Sequence, residues 1–184
     1  TGLGVAPKHI GEVFGIFKAY STRVGSGPFP TELLDDNGEL MRRQGNEFGS
    51  TTGRPRRCGW IDLPSLKYSI MINGVTQLLM MKADVLNVFP VIKVCTKYRL
   101  QDGSYTEALP YELIHEKITP VYEDLPGWNC NLAGISDDAM PEALRNYIDY
   151  LEKNLSVPIT LISTGPDRTQ TVYRHPFLGQ TIKI

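Results

Sequence analysis

The stretch TQLLMMKADVL, residues 76–86, decides how this 184-residue chain is read. Its apolar run is short and continuous and ends on Lys82, Ala83 and Asp84, which marks a buried strand leaving its sheet at residues 82–84. Just before it, LPSLKYSIMING (residues 63–74) reads as a helix capped by Gly74. Just after it, VIKVCTKYRLQDGSYTEAL (residues 91–109) alternates β-branched and polar residues up to Asp102-Gly103, which predicts an antiparallel hairpin. MPEALRNYIDYLEKNLS (residues 140–156) predicts a helix with Asp137 or Asp138 as cap, Pro141 in the first turn, and Leu144, Tyr147, Ile148 and Leu151 on one face. VPITLISTGPDR (residues 157–168) is a second short apolar run that breaks at Gly165-Pro166, and TQTVYR (residues 169–174) resembles a final strand.

Toward the N-terminus, PKHIGEVFGIFKAYSTRV (residues 7–24) carries Ile10, Val13, Phe14 and Phe17 at helical spacing, with Pro7 near a plausible start, and so predicts an amphipathic helix. GSGPFP (residues 25–30) is an irregular loop, and residues 31–48 read as a helix or two short turns. Helices alternating with buried strands, plus one inserted antiparallel hairpin, predict an α/β layered fold in one domain.

Composition narrows the chemistry. Lys and Arg total 19 against 20 Asp and Glu, so a formal net charge of −1 leaves no global field for nucleic acid or an anionic membrane. Any basic site is local. Cys58, Cys95 and Cys130 are odd in number and far apart, which suggests a reduced, cytoplasmic setting, and His9, His115 and His175 show no metal-ligand spacing. No apolar run approaches a membrane span, and the first residues have neither an initiating Met nor a signal-peptide profile, so the chain is expected to begin within a longer protein.

Three constellations could carry function. In GNEFGSTTGRPRRCGW (residues 45–60), Ser50, Thr51, Thr52 and Gly53 offer closely spaced donors, and Arg54, Arg56 and Arg57 offer guanidinium forks suited to carboxylate or phosphate. Pro55 stiffens that loop while Gly49 and Gly53 let it move; a solvated basic turn is the bland alternative. In MKAD (residues 81–84), the Asp84 carboxylate can accept the N1–H and exocyclic amine of guanine while the Lys82 stem covers the ring, although a surface ion pair fits the same residues. ISTGPDR (residues 162–168) opens from a strand end, where α/β proteins bind ligands, and ordinary turn chemistry explains it equally well. Nothing matches GxxxxGK[ST], and no Ser-His-Asp or Cys-His pattern stands out.

Together, YSTRVGSGPFPTEL, GNEFGSTTGRPRRCGWIDL, MKADVL, YEDLPGW and PITLISTGPDRTQT resemble the adenylosuccinate synthetase family, in the order of its C-terminal half and over essentially all 184 residues. The resemblance implies the C-terminal part of a layered, mostly parallel sheet flanked by helices. It implies an enzyme that joins L-aspartate to IMP at the expense of GTP, with GTP phosphorylating the purine O6 and aspartate displacing that phosphate. It assigns the aspartate and IMP loop to Ser50, Thr51, Thr52, Gly53, Arg54, Pro55 and Arg56, with Thr52 and Arg54 on the aspartate, Arg54 also near the IMP ribose, and Val24 lining the IMP pocket. Arg56 would also serve the GTP side. Lys82, Ala83 and Asp84 would read guanine, and Ser163, Thr164 and Gly165 would flank the base. The catalytic residues, the phosphate loop and the Mg²⁺ ligands belong to the family's N-terminal half, so this chain alone is expected to be inactive, and the intact enzyme to be a cytoplasmic homodimer with no nucleic-acid or membrane partner. Two departures are visible: MKAD stands where the family often has TKLD, and Pro55 stands where arginine can occur. The rival readings are a stand-alone guanine-nucleotide binding module without catalysis and a nucleic-acid contact, the latter opposed by only three clustered arginines and near-neutral charge.

Overall fold

A computed structural model describes residues 2–6 and 9–174. In chain order it runs β1 (Phe14–Lys18), β2 (Ser21–Arg23), α1 (Asp36–Gln44), β3 (Arg57–Gly59), β4 (Ile61–Asp62), α2 (Leu63–Asn73), β5 (Gln77–Met81), a 3-10 turn (Ala83–Val88), β6 (Val91–Arg99), β7 (Tyr105–Thr106), β8 (Thr119–Pro126), α3 (Glu142–Leu155), β9 (Ile159–Ser163) and β10 (Thr171–Tyr173).

Three sheets organise these strands. The first has the order β1-β5-β9-β10, parallel across β1, β5 and β9 and antiparallel at β10. The second pairs β2 with β3 antiparallel, and the third centres on β6, which runs parallel to β4 and antiparallel to β7 and β8. The α/β expectation holds, with a mostly parallel sheet, flanking helices and the expected β6–β7 hairpin. At its turn Gly103 takes a left-handed φ of 87°, and the Asp102 carboxylate accepts the Ser104 amide and hydroxyl.

The opening helix is a correction. Residues 14–18 form a strand in register with β5, Phe14 opposite Gln77 and Lys18 opposite Met81, and β2 follows after a sharp turn. Gly11 and Gly15 explain why: each would weaken a helix by about 1 kcal/mol, whereas the aromatic and β-branched residues around them suit a strand. The apolar spacing that imitated a helix leaves Ile16 on the exposed face of β1. Pro7, read as a helix start, lies outside the described residues.

The helix ends follow local chemistry. Asp62 caps α2 by accepting the Ser65 amide at 3.1 Å, and Gly74 closes it at a left-handed φ of 59°. Asp62 also accepts the Tyr98 hydroxyl on both oxygens, so the same carboxylate joins α2 to β6. The cap expected for α3 differs: Pro141 occupies that position with no side-chain bond, because its ring already fixes a helix-compatible φ of −55°. Asp137 instead faces Arg174 and gives its carbonyl to Arg145. α3 buries Leu144, Tyr147, Ile148, Leu151 and Leu155 in the core shared with Leu78 and Met80 of β5 and Ile159 and Ile162 of β9. The Tyr147 hydroxyl donates to the Ala19 carbonyl at 2.7 Å, tying α3 to the turn after β1.

Ile148 is fully buried at the centre of that face. Ile148→Ala is expected to lower unfolding free energy by about 2–5 kcal/mol in urea denaturation, whereas truncating the exposed Ile72 on α2 is expected to change it by less than about 0.5 kcal/mol.

Candidate functional site

Three adjacent parallel strands end together. β1 stops at Lys18, β5 at Met81 before Lys82, and β9 at Ser163 before Thr164 and Gly165. Carboxyl ends of parallel strands are where α/β sheets bind ligands. A groove of about 780 Å³ opens there, lined among others by Lys18, Thr22, Arg23, Lys82, Ser163 and Gly165.

Beside it lies Glu47, whose side chain has no exposure to solvent. Its Oε1 accepts the Lys18 ammonium at 2.7 Å, the Lys82 ammonium at 2.8 Å and the Tyr20 hydroxyl at 2.6 Å, and its Oε2 accepts the Arg56 guanidinium at 2.8 Å. Burial alone would raise the Glu47 carboxyl, but bonds from Lys18, Lys82, Tyr20 and Arg56 outweigh it and hold it at about 2. Burial pulls the Lys18 ammonium down despite Glu47, and pushes the Tyr20 hydroxyl up. Gly45 is required here by space: a Cβ would lie 2.3 Å from the Tyr20 hydroxyl oxygen.

The basic loop is a closed hairpin built on Glu47. The Arg56 amide donates to the Glu47 carbonyl at 2.9 Å, Phe48 bridges Pro55, and the Gly49 amide donates to Arg54 at 2.9 Å. Ser50, Thr51, Thr52 and Gly53 form its exposed tip, with Gly53 at a left-handed φ of 64°. Arg54 stands exposed, and no side-chain partner holds it among the described residues. Arg57, the third guanidinium fork of this stretch, meets a carboxylate of the chain itself. Its guanidinium is bidentate to Glu32 and donates to the Gly25 and Gly27 carbonyls, fastening the glycine-rich loop that precedes Glu32. Val24, on that loop, is exposed.

Lys82 has a left-handed φ of 61°, uncommon for a residue with a side chain, and this turns the chain from β5 into the 3-10 turn. Its ammonium reaches Gly45 and Glu47 rather than forming the ion pair with Asp84 that two-residue spacing suggests. Ala83 is fully buried beneath the turn. Burial pushes the half-buried Asp84 carboxyl up, against the pull of its own amide, Lys82 and the Val85 amide. Across the groove, the Ser163 hydroxyl donates to the Gly165 carbonyl and the Thr164 amide to Gln170, so this loop is held by its own bonds.

The structure thus brings Arg56 and Lys82 together on one carboxylate and puts Lys82, Ser163 and Gly165 on one groove, while Arg54, Asp84 and Val24 lie outside that lining. Glu47, Lys18 and Tyr20 escaped the sequence reading. Glu47 sits inside the basic loop's own stretch, where a single acid before three arginines was the available signal, and Lys18 and Tyr20 were assigned to the helix that does not form. Among the described residues no group of three or more His, Cys, Asp or Glu could hold a metal ion.

The fold and groove define an α/β protein with a cationic, partly neutralised site at its parallel strand ends. The family model for adenylosuccinate synthetase matches residues 1–172. The adenylosuccinate synthetase of Cytophaga hutchinsonii is 62% identical over 175 residues, 95% of this chain and 41% of that protein, and that of Bacteroides thetaiotaomicron is 57% identical over 176 residues, 95% and 41%. A solved structure described as fully ligated adenylosuccinate synthetase from Plasmodium falciparum aligns with TM-score 0.88 at 38% identity, covering 94% of this chain and 42% of that one. The chain belongs to the adenylosuccinate synthetase family and spans about two-fifths of the length of these relatives.

The Glu47 carboxyl sits at about 2 in the fold against an ordinary 4.5. The unfolded chain therefore takes up that proton first, so the stabilisation is complete above 4.5 and fades as pH falls through 2. Urea denaturation between neutral pH and about pH 3 is expected to lose about 2 kcal/mol of this contribution, the rest going as pH falls below 2. Glu47→Gln is expected to be less stable at neutral pH and to flatten that acid-side loss.

Proposed function

We propose that this chain is the C-terminal portion, residues 1–184, of a GTP-dependent ligase that joins L-aspartate to IMP. The observation that carries this reading is the convergence of Arg56 and Lys82 on Glu47: the arginine of the proposed aspartate loop and the lysine of the proposed guanine site share one buried counter-ion. Family membership supports the chemistry.

In this reading Thr52, at the exposed tip of the hairpin, and Arg54, just after it, close on the dicarboxylate, and Arg54 also approaches the IMP ribose. Ser50, Thr51, Gly53 and Pro55 shape that tip. Arg56 faces both the aspartate and GTP, and Val24 borders IMP. The desolvated Asp84 carboxylate, to which no side chain donates among the described residues, has free acceptor positions for the two N–H groups of guanine. The Lys82 stem covers the ring, and Ser163, Thr164 and Gly165 border its other side. GTP phosphorylates the purine O6, and the aspartate amine displaces that phosphate. The contribution of this chain is binding and orientation, which hold amine and purine in reacting geometry.

The fragment reading also draws on surface chemistry. Phe14 and Ile16 stand exposed on β1, whose outer edge pairs with no strand among the described residues, as expected where further polypeptide packs. The intact enzyme is proposed to be a cytoplasmic homodimer that uses Mg²⁺ held by residues beyond this chain.

The test is complementation. Supplied with the family's N-terminal segment, the chain is expected to form adenylosuccinate, followed by ultraviolet absorbance, and alone to form none. GTP binding by the isolated chain at micromolar Kd, lost in Asp84→Asn, would instead favour the binding-module reading. In the reconstituted enzyme, Arg54→Leu is expected to raise the aspartate KM by about 10- to 100-fold, the loss of one or two charged hydrogen bonds, with the GTP KM changed far less.

A further inference from the structure

We propose that Glu47 is a positioning residue that couples the two ends of this site, its one carboxylate setting the reach of both Arg56 and Lys82. The proposal rests on the ligase reading above, which gives those two side chains their ligands.

Glu47 is built into the loop it would control. Its carbonyl accepts the Arg56 amide, its own amide donates to Arg42, and its side chain binds the Arg56 guanidinium, so loop and carboxylate move as one body. Lys82 is held at both ends: its backbone is fixed at the close of β5, and its ammonium is anchored on Glu47 and Gly45. A lysine tethered this way presents its methylene stem as a platform rather than a free charge. Tyr20 and Lys18 fill the remaining positions on Oε1, which leaves Glu47 little freedom to rotate.

Three cations on Glu47 exceed its single charge, and Asp84 is the further acid felt by Lys82. A base laid on the Lys82 stem fixes that ammonium on Glu47, and an anion drawn to Arg56 loosens the arginine's hold on the same carboxylate and strengthens the hold of the lysines. Occupancy at the base-binding end is thereby felt at the acid-binding loop, and by thermodynamic linkage the reverse holds equally.

The experiment uses the reconstituted enzyme with IMP present and measures the aspartate Kd with and without a non-hydrolysable GTP analogue. The wild type is expected to show coupling of at least about fivefold. Glu47→Gln keeps the shape but removes the charge, and is expected to bring the ratio of the two Kd values close to unity. Tyr20→Phe, which removes only one hydroxyl from the same carboxylate, is expected to give an intermediate ratio and guards against Glu47→Gln failing to fold. A purely structural role would change the amount of folded protein, or both Kd values together, and leave the ratio intact. An unchanged ratio in the variants that fold, or a wild-type ratio of one, overturns the proposal. Absence of adenylosuccinate formation by the wild type would instead overturn the ligase reading on which it rests.

Discussion

A carboxylate without access to water, gripped by two ammonium groups, a guanidinium and a phenol, is the constraint around which the strand ends are arranged. Taking one charge out of water is costly unless partners replace the lost hydration, and Glu47 has a partner on every side. The consequence is directional. Residues from β1, the turn after it, the hairpin and the close of β5 must all arrive at one point, which fixes the relative position of segments far apart in sequence. The tight fit at Gly45, where even a methyl group would strike the Tyr20 hydroxyl, shows how little room the arrangement has for alternatives.

From that point the chemistry divides by exposure. Arg57 is spent on Glu32 and two loop carbonyls, Arg56 is paired with the buried Glu47, and Arg54 is left open at the loop. Three arginines within four residues therefore play three roles: fastening, alignment and, in the proposed function, contact with substrate. The gradient follows from the hairpin geometry, since residues nearer its base meet buried acceptors while those nearer its tip meet water.

Much of the fold was legible in the sequence because local and tertiary preferences agree there. The run at 78–81, the Asp102-Gly103 turn, the left-handed Gly74 and the apolar face of α3 each carry a local signal that survives packing. The first strand was not legible, because Ile10, Val13, Phe14 and Phe17 imitate a helical face and only pairing with β5 selects the extended form. The site divides the same way. Loop composition pointed to Arg54 and Arg56, the MKAD motif after a buried strand to Lys82, and family resemblance to their ligands. The buried acid that organises them was invisible, since burial of a lone glutamate depends on cations 9, 29 and 35 residues away.

The most direct measurement is an experimental structure of the reconstituted enzyme with a guanine nucleotide and an aspartate analogue bound. The expected result has Glu47 within about 3.2 Å of both the Arg56 guanidinium and the Lys82 ammonium, the lysine stem lying on the base and the loop tip closed on the analogue. A structure in which Glu47 faces solvent, or in which the nucleotide and the analogue occupy faces not joined through these side chains, would contradict it.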